Sequence, residues 1–70
     1  MPFIDVTLAK GRSPETLRAI QTALHDAMVE VGGADSNAVT VVLREVEHDM
    51  WATGDRTIAE RNAAKAAASE

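Results

Sequence analysis

Residues 38–46 read AVTVVLREV, a β-branched run that is apolar on both of its alternating sides. A strand of this composition does not suit an exposed hairpin; it wants cover on both faces, as the strands of parallel sheets have. Upstream, in the stretch PFIDVTL, Ile4, Val6 and Leu8 alternate with Phe3, Asp5 and Thr7, the period of a strand with one strongly buried face. Between these two strands the period changes to that of a helix. Ser13-Pro14-Glu15 supplies a hydroxyl to cap free amides, a proline suited to the first helical position and a carboxylate for the positive end of the dipole. Leu17, Ile20, Leu24, Ala27, Met28 and Val31 then recur at helical spacing until Gly32-Gly33 provides a left-handed stop. Strand, helix and strand with short links predict a βαβ unit, α/β in class, with parallel strands joined by a right-handed crossover.

Such a unit is not self-sufficient. Two strands do not make a stable sheet, and a chain of 70 residues buries a smaller share of its unfolded surface than a larger domain does, so a monomer is marginal. With no cysteine and only His25 and His48, disulfides and a structural metal are closed as routes to stability. Oligomerisation remains, through pairing with a second copy or a sister chain. The formal charge of -4, from seven Lys and Arg against eleven Asp and Glu, leaves no basic footprint for nucleic acid or an anionic membrane surface. No segment reaches the roughly 18 apolar residues of a membrane span, and the start lacks a charged leader with an apolar stretch. The expectation is a cytoplasmic protein with a small-molecule or protein partner.

Residues 1–70 read as one domain, with a core over 2–54 and an Ala-rich tail over 55–70. Beyond Val46, EHDMWATGD reads as a loop with a turn at Gly54. The stretch TIAERNAAKAAASE holds six alanines in fourteen residues. Its helix propensity is high, but an isolated helix of this length is marginal in water, so it is expected to be helical on a partner and frayed without one.

No nucleotide loop, Ser or Cys triad or zinc pattern is present, which leaves acid-base chemistry or binding and calls for no cofactor. Pro2 is either a tolerated residue at the head of an edge strand or, once Met1 is removed, a secondary amine held rigid by its own ring. A dry site and nearby cations would lower the pKa of that amine toward neutrality, where it can abstract a proton next to a carbonyl. Arg12 is the nearest candidate cation, or else a solvated loop arginine. It follows the carboxyl end of the first strand while Pro2 stands at the other end, so a site using both is expected to be shared between subunits. Thr40 and Arg44 fall on one face of the second strand. Arg44 is expected either to pair with Glu45 or a neighbouring chain's carboxylate, or to contact substrate. Trp51 reads as the apolar wall of a pocket or an interface anchor. Glu47, His48 and Asp49 are consecutive and read as a solvated charged loop rather than a metal site. His25 reads as an exposed helix residue.

Taken together, MPFIDVTL, the KGRS link, the capped helix and VTVVLREVEHDMWATGD resemble the 4-oxalocrotonate tautomerase family over roughly residues 2–54. The resemblance implies short βαβ chains assembled as hexamers, usually trimers of dimers, with a four-stranded sheet in each dimer. It implies that Pro2 is the general base of an enol to keto conversion, that Arg12 engages a substrate carboxylate and that Trp51 walls the apolar part of the site. The family's second arginine, near the start of the second strand, is Thr40 here, which can donate one hydrogen bond but no bidentate charged pair. The implied substrate is a 2-hydroxydienoate or similar enol acid, with dicarboxylates put in question. Alternatives are a dehalogenase or hydratase of the same superfamily, in which Glu45 or Asp49 would activate water, and a non-catalytic subunit of a heterohexamer. A third reading is an acidic oligomeric binding module that docks through its Ala-rich tail.

Overall fold

A computed structural model of the chain describes residues 2–68. Strands β1 (Phe3–Ala9) and β2 (Thr40–Val46) lie parallel, in register from Phe3 opposite Thr40 to Ala9 opposite Val46. Helix α1 (Pro14–Glu30) connects them. Its start is built as the sequence predicts: the Ser13 hydroxyl accepts from the Thr16 amide at 3.2 Å, and Pro14 fills the first turn. Its end is a glycine stop, with Gly33 at φ +70° and the Gly33 and Ala34 amides donating to the carbonyls of Val29 and Met28, each at 3.2 Å.

Register assigns the faces. Ile4, Val6 and Leu8 stand opposite Val41, Leu43 and Glu45, and this side lies under α1, where Gln21 Nε2 donates to the Val41 carbonyl at 3.4 Å. Phe3, Asp5 and Thr7 stand opposite Thr40, Val42 and Arg44 on the other side, which no element among the described residues covers. The apolar character of β2 on both faces thus meets cover on only one.

Residues past β2 depart from the expected loop. β3 (Ala52–Thr53) and β4 (Arg56–Thr57) form a small antiparallel ribbon, turned at Gly54-Asp55 with Gly54 at φ +66°. A two-residue connection of this kind needs positive φ, and Gly-Asp supplies it. Helix α2 (Ile58–Ala68) follows directly. Thr57 and Glu60 cap it reciprocally, the Glu60 amide donating to Thr57 Oγ1 at 3.1 Å and the Thr57 amide to Glu60 Oε1 at 2.9 Å. These bonds favour the ionised Glu60 carboxylate and lower its pKa.

Among the described residues none is fully buried, and Phe3, Met50 and Val31 are 64%, 75% and 89% exposed. The radius of gyration is 16.2 Å, against about 11 Å for a compact chain of this length. No helix among the described residues is long and apolar enough to cross a membrane.

Candidate functional site

Pro2 is half-buried at the head of β1, where its carbonyl accepts from the Thr40 amide at 3.1 Å. That bond continues the β1–β2 ladder by one step and fixes the proline beside the start of β2. Proline has no amide hydrogen to give to a ladder, so the edge of a sheet is one of the few places that accepts it. Thr40 is therefore Pro2's neighbour within the chain. Met1 lies outside the described residues.

Arg12 stands past the opposite end of the sheet. It is exposed, its Nη1 donates to the Ala9 carbonyl at 3.2 Å, and among the described residues it pairs with no carboxylate. The link that carries it is strapped to the exit of β2. The Lys10 amide donates to the Val46 carbonyl at 2.9 Å, Lys10 Nζ meets Glu47 Oε1 at 2.7 Å, and His48 Nε2 bonds the Lys10 carbonyl. The Lys10–Glu47 hydrogen bond raises the lysine pKa and lowers that of the glutamate. His48 Nδ1 also lies 3.4 Å from the Asn62 amide nitrogen, so this residue joins β1, β2 and α2. Sequence reasoning treated Glu47 and His48 as a solvated loop. Their partners are 37 and 38 residues away in sequence, and no local pattern announces them.

Trp51 is half-buried immediately before β3, and its carbonyl accepts from the Ile58 amide at 2.9 Å. The Ala59 amide donates to the His48 carbonyl, also at 2.9 Å, so the Trp51 segment is held at the same end of the sheet as Arg12. Arg44 bonds a partner the sequence did not suggest: its Nε donates to Asp5 Oδ1 at 3.0 Å across the uncovered face, rather than to Glu45. Glu45 points to the other face, opposite Leu8. The reason is the pleat, which puts Asp5, Thr7 and Arg44 on one side and their neighbours in sequence on the other.

Within one protomer the candidate residues thus fall into two groups. Pro2 and Thr40 mark the amino end of the strands; Arg12 and Trp51 mark the carboxyl end, with the seven residues of β1 between them, or about 23 Å at roughly 3.3 Å per residue. Glu45 and Asp49 also belong to the carboxyl end. Pro2 and Arg12 thus stand at opposite ends of one strand, and the protomer by itself does not bring them together. Among the described residues no cluster of three or more His, Cys, Asp or Glu could hold a metal ion.

Comparison with known proteins shows the same fold. The family described as tautomerase enzyme matches residues 2–61. A probable tautomerase of Staphylococcus epidermidis is 39% identical over 54 residues, covering 77% of this chain and 88% of that protein. The crystal structure of TomN, a 4-oxalocrotonate tautomerase homologue in the tomaymycin biosynthetic pathway, superposes with a TM-score of 0.86 at 42% identity, covering 89% of this chain and 95% of TomN. A heterohexamer 4-oxalocrotonate tautomerase from Chloroflexus aurantiacus superposes with a TM-score of 0.81 at 27% identity, over 86% of this chain and 97% of that one.

Proposed function

The chain belongs to the tautomerase family, and on that footing we propose that it is an isomerase that converts a 2-hydroxydienoate or similar enol acid to its keto form, with the Pro2 nitrogen as general base. In this reaction the proton leaves the enol oxygen for the proline nitrogen and is returned to a carbon of the conjugated chain, so no atom is gained or lost. The chemistry requires Met1 to be removed. While Met1 is attached the nitrogen belongs to a tertiary amide and is no base at neutral pH.

The observation that carries the reading is the fixation of Pro2 at the head of β1 through the 3.1 Å bond from Thr40, which holds the ring in place without engaging its nitrogen. Arg12 of a second copy binds the substrate carboxylate, and Trp51 lines the apolar carbon chain. The site is completed by assembly, as a hexamer of one chain or with a sister chain. With Thr40 at the start of β2 and Arg44 engaged by Asp5, one carboxylate of the substrate is matched and a second is not. Monocarboxylate enol acids are therefore the preferred class.

Turnover of such an enol acid, followed by the loss of its ultraviolet absorbance, tests the reading once mass spectrometry shows a bare Pro2. Pro2→Ala should lower kcat about 100-fold or more, the scale of a general base. Arg12→Ala should raise KM about tenfold or more, the scale of a lost charged hydrogen bond. Unchanged turnover in Pro2→Ala, or full turnover by protein retaining Met1, would show that the proline is not the base.

The engaged Arg44 and the Thr40 substitution favour one second reading, a non-catalytic subunit of a heteromer. This chain would then be inactive alone and would co-purify with a homologous chain carrying an arginine at the position of Thr40.

A further inference from the structure

Glu47, His48 and Asp49 read in sequence as a solvated charged loop, yet His48 is half-buried and bonded through both ring nitrogens and its carbonyl. Its Nε2 faces the Lys10 carbonyl, which can only accept, so Nε2 carries a hydrogen. Its Nδ1 lies 3.4 Å from Asn62 Nδ2, an amide nitrogen that can only donate, so Nδ1 is the acceptor. The two partners together select one tautomer of the ring. On the backbone, the His48 carbonyl accepts from the Ala59 amide at 2.9 Å. The residue is thereby anchored to the first turns of α2 and reaches across to the link between β1 and α1. That link carries Arg12.

We propose that His48 is a positioning residue for Arg12: by holding the Lys10 carbonyl it sets the backbone from which the guanidinium reaches a substrate carboxylate. The proposal rests on the carboxylate-binding role given to Arg12 above. The Lys10–Gly11 peptide unit is planar, so a grip on the Lys10 oxygen also orients the Gly11 nitrogen. Gly11 follows at φ +138°, a conformation that favours glycine, and a Cβ there would meet nothing within 4 Å. Neither a side chain nor a close neighbour restrains rotation at that point, so the link is held from outside. Three bonds hold it, and they are unequal. The bond from the Lys10 amide to the Val46 carbonyl, at 2.9 Å, ends one peptide unit before the glycine. The Lys10–Glu47 ion pair joins side chains that are 54% and 61% exposed, a class of surface pair that contributes little. The His48 bond alone acts on the carbonyl directly before Gly11, and it comes from a half-buried ring fixed on its far side by Asn62. Arg12 spends one donor on the Ala9 carbonyl at 3.2 Å and keeps its other N–H groups for a ligand. Paired hydrogen bonds from a guanidinium to a carboxylate demand a set geometry, so a shift of about 1 Å at its base is costly.

Sorbate, a monocarboxylate with a conjugated chain and no enol to convert, serves as the probe, its affinity for the full-length assembled chain measured by calorimetry. Arg12→Ala should weaken binding about tenfold or more, the scale of a lost charged hydrogen bond. His48→Phe, which keeps a ring but removes both of its hydrogen bonds, should weaken it about fivefold, whereas in the Arg12→Ala background it should change the affinity less than about twofold. That dependence on Arg12 separates positioning from a general loss of stability. His48→Gln, which returns a donor near the place of Nε2, should bind within about twofold of the natural chain. In the natural chain, nitrogen-15 resonance of the His48 ring should show the hydrogen on Nε2, and its absence there would overturn the proposal whether or not the variants fold. Equal losses from His48→Phe in both backgrounds, or a Gln variant as weak as the Phe variant, would overturn it too. Binding that needs Arg12 but ignores His48→Phe would remove this proposal alone. Binding indifferent to Arg12→Ala would remove the role of Arg12 and this proposal with it.

Discussion

His25 shows how a single side chain gains a role from its surroundings. Its Nδ1 lies 2.9 Å from Asp26 Oδ1, and its Nε2 lies 3.0 Å from the Ser36 carbonyl and 3.1 Å from Ser36 Oγ. Both ring nitrogens face acceptors, an arrangement that suits the doubly protonated imidazolium. The Asp26 hydrogen bond, followed by the Ser36 carbonyl, raises the His25 pKa, with Arg18 opposing. A raised folded-state pKa means that the imidazolium stabilises the fold fully below the unfolded value of about 6.5, and that this contribution is lost as pH rises through the folded value. Nuclear magnetic resonance titration of the His25 ring should therefore give a midpoint above 6.5, and Asp26→Asn should move it back toward that value. The sequence reading of His25 as a simple exposed helix residue missed this because Ser36 approaches across the turn that follows α1, where helical spacing carries no information.

Individual elements were legible to different depths. The two strands and α1 were read from period, cap and stop, all local signals that the structure repeats at Ser13, Pro14 and Gly33. Gly33 sits at φ +70°, a conformation that costs a residue with a Cβ roughly 1–2 kcal/mol. Gly33→Ala should lower the unfolding free energy in urea by about that amount. Gly32→Ala should also destabilise, for a different reason: the added Cβ would lie 2.7 Å from the Met28 carbonyl oxygen, a crowding that backbone cannot easily relieve. The β3–β4 ribbon was read as a loop because each strand has only two residues. Its Gly-Asp turn and the Thr-x-x-Glu cap after it were present in the sequence, and those two signals together would have located both the ribbon and the start of α2.

At the scale of the whole molecule, the described residues leave one sheet face open and include none that is fully buried. The 50 × 23 × 18 Å outline follows from the same fact, since none of the described elements folds over the uncovered face. Stability should accordingly depend on association. Thermal unfolding followed over a hundredfold range of protein concentration should give a Tm that rises with concentration, as mass action requires when subunits fold together. A Tm independent of concentration over that range would argue for a protomer stable by itself. The same logic applies to the site proposed above, whose Pro2 and Arg12 lie at opposite ends of β1.

The sequence alone determined the βαβ order, the two ends of α1 and the family, because each rests on local period, on local capping chemistry or on a run of matching residues. It also placed Pro2, Arg12, Thr40, Arg44 and Trp51 along the chain. Tertiary structure decided what faces what. The pleat turned Arg44 toward Asp5 instead of Glu45, the parallel pairing set Thr40 beside Pro2, and the exits of β1 and β2 were strapped together by Lys10, Glu47 and His48. Those contacts join residues some 37 to 39 positions apart, a separation over which sequence pattern is silent and only the packed chain speaks.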